Sequence, residues 1–100
     1  MKTLGEIIRQ KREEKKLLLR ELSAMLEIDP AILSKIERGE RNAKKKHIKK
    51  ISEILGIDEQ GLLIQFLSEK ILYDIEGEEF GLEALKVAEE RMKYNSKNEI

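Results

Sequence analysis

The stretch Ser34–Lys50, SKIERGERNAKKKHIKK, places eight Lys or Arg among seventeen residues, in a chain whose formal net charge is zero. Cations at that density can hold a polyanion, or can form an ordinary solvated face, and charge alone does not decide between the two. Other chemistry is poorly supplied. His47 is the only histidine and there is no cysteine, so thiolate zinc sites and disulfides are excluded and a metal or catalytic role for His47 is not expected. The carboxylate pairs Glu13/Glu14, Glu78/Glu79 and Glu89/Glu90 occupy exposed helical positions and read as surface. No Walker loop, G-x-S-x-G or dinucleotide fingerprint occurs, so the chain is not expected to be an enzyme, and no cofactor is expected.

The neutral total conceals a split. Residues 1–50 hold fifteen Lys and Arg against eight Asp and Glu, whereas residues 51–100 hold five against twelve. A basic half facing a polyanion and an acidic half turned away from it would produce that asymmetry. One hundred residues suit a single small domain with one modest core. Forty per cent apolar, 40% charged, one Pro and six Gly suit a mostly helical chain. No apolar run reaches the roughly 18–20 residues that cross a bilayer, and MKTLGEIIRQ lacks a signal-peptide core, so a cytoplasmic location is the default expectation.

The elements that must position the cations follow from caps and apolar spacing. Thr3 and Glu6 form a T-x-x-E capping box, after which Leu4, Ile7 and Ile8 predict a helix to about Lys15. A second helix is predicted over Leu18–Leu26, with Leu19, Leu22 and Leu26 on one face. Asp29 as N-cap and Pro30 at the first helical position start a third, which Gly39 ends. Asn42 can cap a fourth, with Ile48, Ile51, Ile54 and Leu55 inward, stopping at Gly56. Asp58 caps a fifth running to about Ile75, and a sixth is predicted over about Glu78–Tyr94, with NSKNEI frayed. No segment alternates as a strand would.

The second and third helices are separated by three residues, and so brief a turn makes them cross steeply, as in a helix-turn-helix. Leu22, Ser23, Leu26, Ile28, Leu33 and Ile36 would face inward, with Ser23 small where the two helices meet. With these residues in place, LGEIIRQKREEKKLLLRELSAMLEIDPAILSKIERGERN and IKKISEILGIDEQGLL resemble the helix-turn-helix domain of phage Cro and repressor proteins, the xenobiotic-response-element type. The resemblance covers about Thr3–Leu63, and LSKIERGER is its most specific part. It implies an all-α fold, a five-helix repressor-type bundle whose third helix enters the DNA major groove, with an additional C-terminal helix in this chain.

Carried over by position, the resemblance implies base-reading positions at Pro30, Ala31, Ser34 and Lys35, of which Lys35 is long and polar enough to reach guanine O6 and N7. Arg20, Arg38, Arg41, Asn42, Lys44 and Lys45 would meet DNA phosphates, which fix register without reading sequence. The amide end of a helix capped at Asn42 would add its dipole. Arg12 and Glu37 match a structural ion pair of the family. Three departures stand out: Leu18 and Leu19 replace a hydroxyl cap and a Gln facing DNA, leaving Arg20 as the nearest polar substitute, and Glu27 replaces the turn glycine. That turn therefore either takes up strain or differs in geometry.

The family domain is complete near Leu63, giving a division into residues 1–65 for DNA, 66–95 for a helical extension and 96–100 for a tail. The fifth helix is apolar on nearly every side, as a helix inside something must be. Phe66, Leu67, Ile71, Leu72, Ile75, Phe80, Ala84, Val87 and Ala88 are expected to form a homodimer interface. The expected function is a sequence-specific DNA-binding transcriptional regulator, acting as a homodimer on a palindromic operator. The alternative is an antitoxin-like or adaptor protein whose C-terminal helices bind a protein partner. Double-stranded DNA is the expected partner in the first case, and no membrane is expected in either.

Overall fold

In the computed structural model, which describes residues 2–98, six α-helices follow one another: α1 Leu4–Glu14, α2 Leu19–Leu26, α3 Pro30–Glu37, α4 Ile48–Leu55, α5 Glu59–Ile75 and α6 Gly81–Asn98. A single 3-10 turn, Lys45–His47, precedes α4, and there is no strand among the described residues. The fold is all-α. Two compact units divide between Glu69 and Lys70, inside α5.

The first unit is a bundle built on the apolar faces of α1–α4 and the first half of α5. Ile8, Leu22, Leu33, Ile48, Ile51, Leu55 and Leu62 are all but inaccessible to solvent. With Leu4, Leu26, Ile36 and Phe66 they recur at i+3 or i+4 along each helix, one apolar stripe per helix facing inward. The Thr3–Glu6 capping box closes the start of α1, with Glu6 N–H donating to Thr3 Oγ1 at 3.1 Å. Gly5 lies within α1 because the end of α3 lies against it. A Cβ there would stand 2.7 Å from the carbonyl oxygen of Glu37, and closer still to that of Ile36.

The helices α1–α4 end alike, with a left-handed residue just past the last turn: Lys16 (φ 57°), Glu27 (φ 58°), Gly39 (φ 77°) and Gly56 (φ 67°). After α2, Ile28 N–H donates to Ser23 O (3.0 Å) and Glu27 N–H to Ala24 O (3.1 Å), the bonds of a Schellman closure. Of the two alternatives left open for the α2–α3 turn, the chain takes strain at Glu27 over altered geometry. Glu27→Gly is therefore expected to raise stability by about 1 kcal/mol, the left-handed penalty of a residue with a Cβ less the backbone entropy of glycine. Urea unfolding checks this, with Glu27→Ala expected to stay close to wild type. A glycine variant no more stable than the alanine variant would contradict it.

Two sequence expectations for this unit are corrected. The fourth helix does not begin at an Asn42 cap. Ala43 is buried at 7% exposure, so the chain runs extended into and out of the core there, and helical geometry starts only with the 3-10 turn at Lys45. Phe66 is not available to a dimer interface, because it lies one turn from Leu62 on the inward face of α5 and is 6% exposed.

The second unit holds the end of α5 and α6. The sixth helix starts at Gly81, three residues later than expected: after Gly77, Glu78–Phe80 form a turn in which Gly81 N–H donates to Glu78 O. It continues through Asn98, beyond the expected end near Tyr94, and residues 99–100 of the expected tail lie outside the described residues. Ile71, Leu72, Phe80, Leu82, Val87, Met92 and Tyr94 are exposed, as are Ala84 and Ala88, while Ile75 is half-buried. Phe80, Ala84, Val87 and Ala88, expected at a homodimer interface, are thus open to solvent in the single chain.

Candidate nucleic-acid interface

The α2–α3 unit starts without a side-chain acceptor at its N-cap, since Leu18 stands there, and only the reciprocal half of a capping box remains, Glu21 accepting from Leu18 N–H at 2.8 Å. Ser23, 1% exposed, fits the crossing of the two helices, and its hydroxyl donates to Arg20 O at 3.0 Å, so no polar atom is stranded. Asp29 Oδ1 accepts from Ala31 N–H at 2.7 Å, and Pro30 follows at the first helical position. These three features set where α3 starts and how it crosses α2.

Helical periodicity then divides α3 into two faces. Leu33, Ile36 and Glu37 face the core. Pro30, Ala31 and Lys35 are exposed and Ser34 half-exposed, so the four residues expected to read bases share the outward side. Arg38, just past the helix, is also exposed but forms an ion pair with Glu40 on the surface, an interaction that contributes little and that a phosphate can displace.

The inner face is held by Arg12 and Glu37. Arg12 Nε donates to Glu37 Oε2 at 2.8 Å and a terminal guanidinium nitrogen to Oε1 at 3.0 Å, while the other terminal nitrogen reaches Leu17 O at 2.8 Å. The side chains are 13% and 4% exposed. The hydrogen bond to Glu37 raises the Arg12 pKa above its ordinary value, against the opposing effect of burial. The pair ties α1, the α1–α2 connection and α3 together.

The basic segment after α3 runs over the surface on either side of buried Ala43. Arg41, Asn42, Lys44 and Lys45 are all exposed. Lys44 is extended and Lys45 opens the 3-10 turn, so neither lies in the first turn of α4, which instead carries Lys49 and Lys50. Asn42 caps no helix, and the amides of α4 begin six residues beyond it. A cleft between this segment and α3 has walls of Ile28, Ile32 and Ile36 and a rim that includes Arg41, Asn42 and Lys44. It brings those three alongside α3. Arg20, also exposed, lies in the first turn of α2.

His47 borders the same cleft with its Nδ1 buried and without a hydrogen-bond partner. Burial lowers its pKa, and Lys46, Lys44 and Lys50 lower it further. Both effects disfavour the charged imidazolium relative to the neutral ring.

Sequence reasoning missed Gly5 and Glu69. Glu69 Oε2 accepts from the Leu4 N–H at 2.9 Å, across 65 residues of sequence. A glycine inside an amphipathic helical pattern is the one local signal that pointed to the close approach at residue 5. Nothing local marks a Glu on α5 as the partner of an amide on α1.

Comparison with known proteins gives concordant findings. A family model described as helix-turn-helix matches residues 8–62. The HTH-type transcriptional repressor RghR of Bacillus subtilis (strain 168) is 39% identical over 64 residues. That alignment covers 63% of this chain and 47% of RghR, so the chain spans about half the length of that relative. A crystal structure of the clp gene regulator ClgR from Corynebacterium glutamicum superposes with a TM-score of 0.54 at 29% identity, over 66% of this chain and 86% of that one. A second ClgR structure gives 0.56 at 25% identity, over 91% of this chain and 83% of that one.

Proposed function

The chain belongs to the helix-turn-helix family, and from that premise we propose that it is a sequence-specific DNA-binding transcriptional regulator acting as a homodimer on a palindromic operator. The observation that carries the proposal is the division of α3: an outward face of Pro30, Ala31, Ser34 and Lys35, and an inward face fixed by Leu33, Ile36 and the Arg12–Glu37 pair. With α3 in a major groove, Lys35 donates to guanine O6 or N7, and Ala31 and Pro30 offer apolar surface to a thymine methyl. Arg41, Asn42, Lys44 and Lys45 take phosphates beside the groove, with Arg20 and Arg38 at the edges of the footprint. The amide end of α4 has no part in this footprint, because α4 starts beyond these residues.

The homodimer rests on the exposed apolar side chains of α5 and α6. Leu67, Ile71, Leu72, Phe80 and Val87 are each at least 41% exposed in the single chain, and Ile64, Leu82 and Met92 extend the set. A two-fold pairing of such a surface would cover it and present two α3 helices to half-sites about 34 Å apart. Occupying the operator would repress or activate according to its place relative to a promoter. The same apolar surface supports the second reading, an adaptor or antitoxin-like protein that binds another protein there. Sedimentation separates them: a dimer at micromolar concentration favours the regulator, a monomer the adaptor.

Selection of bound duplexes from a random pool is the direct test. A recovered palindrome supports the proposal, and recovery of no preferred sequence refutes it. If three or four of the phosphate-facing residues per protomer neutralise a phosphate, the six to eight contacts per dimer would give a slope of log K against log salt of about −5 to −7. Lys35→Ala is expected to relax sequence preference by about 1–3 kcal/mol at one base pair, whereas Lys44→Ala weakens all sequences alike. Equal loss across sequences for Lys35→Ala would remove it as a base reader.

A further inference from the structure

We propose that Glu69 is a positioning residue for α3 that acts through α1, an inference that rests on the reading of α3 as the DNA-contacting helix. Three attachments along α1 carry it. At its start, the Leu4 N–H donates to Glu69 Oε2 at 2.9 Å. At Gly5 the backbone of α1 touches the last-turn carbonyls of Ile36 and Glu37, so closely that a Cβ cannot be accommodated. Near its end, Arg12 grips Glu37 through two hydrogen bonds. The helix is thus a strut fixed to α5 at one end and to α3 at two points.

The first-turn amides of a helix have no partner within the helix. Here the capping box serves Glu6, but Leu4 is 6% exposed and its amide depends on a carboxylate from another helix. Gln65, one turn earlier on α5, donates to Lys2 O at 3.2 Å and to the same Glu69 oxygen at 3.3 Å, which orients the carboxylate. A negative group at this end also meets the positive end of the helix dipole. Removing it frees α1 to move along its axis. The contact at Gly5 has no side chain to absorb such a shift, so α3 must follow.

The test compares wild type with Glu69→Ala and with Glu69→Gln, which keeps an acceptor oxygen. Two measurements are made on the full chain: amide hydrogen exchange, with α4 amides as internal reference, and the ratio of affinities for the selected operator and a variant altered at the Lys35 base pair. Glu69→Ala is expected to speed exchange about tenfold at the first turn of α1 and at Arg38–Glu40, relative to α4. It is expected to lower the affinity ratio about fivefold. Glu69→Gln should restore most of both. Faster exchange confined to α1, a uniform rise in all helices, or an unchanged affinity ratio would each overturn the proposal. Should wild type select no preferred duplex, the sequence-specific reading fails, while the exchange pattern still decides the role of Glu69.

Discussion

Gly5→Ala is expected to destabilise the protein by about 2–3 kcal/mol, the range for forcing a methyl into a filled site. At an open helical position the same change stabilises by about 1 kcal/mol, because alanine is the better helix former. The sign is therefore diagnostic. What a Cβ would meet is backbone, the carbonyls of Ile36 and Glu37, which cannot rotate out of the way as a side chain can. Relief requires α1 and α3 to separate, which opens the Leu4, Ile8, Leu33 and Ile36 packing around the contact. A lowered urea midpoint at unchanged m-value is the expected result. A midpoint equal to or above wild type would show that the two helices are not held in contact.

Breaking the Arg12–Glu37 pair from either side is expected to cost about 3–5 kcal/mol, because a buried charge is left without its partner. Arg12→Ala also removes the donor to the carbonyl of Leu17, and Glu37→Ala leaves a largely buried guanidinium without its carboxylate. Arg12→Lys should recover little, since one ammonium cannot match two carboxylate oxygens and a carbonyl together. The combination Arg12→Met with Glu37→Leu should recover most of the loss, as paired apolar replacements of buried ion pairs do. Thermal and urea unfolding of the two single variants and the double variant measure this directly. If the double variant is as unstable as either single one, shape at this site matters more than charge.

These two expectations differ in how far the sequence announces them. The helix limits around α2 and α3 were legible because local chemistry dictates them: an Asp-Pro start, a Gly39 stop and a serine between two short apolar runs. The Arg12–Glu37 contact entered only through family resemblance, for nothing in the spacing of two charged residues 25 apart shows that they meet. The start of α4 was misplaced because Asn42 looks like a cap, whereas burial of Ala43 decides the path. Phe66 was misassigned because an apolar residue on a helix that is apolar all round carries no mark of which side faces the bundle. Gly5 carried one local mark, a glycine inside an amphipathic helical pattern, but what it touches depends on which helices meet. Glu69 carried no mark at all, because its partner is an amide 65 residues away.

The burial of Ala43 has a thermodynamic consequence for binding. Between Glu37 and Ile48 it is the one fully buried residue, so its methyl pins an otherwise solvated stretch near its middle. The stretch becomes two short spans, and Arg41, Asn42, Lys44 and Lys45 each lie within two residues of the anchor. Ordering a free residue costs about 1–2 kcal/mol of backbone entropy. In the proposed complex much of that ordering would be complete before any phosphate arrived, so the basic segment would meet DNA as a preorganised surface, with a neutral methyl group setting where its charges stand.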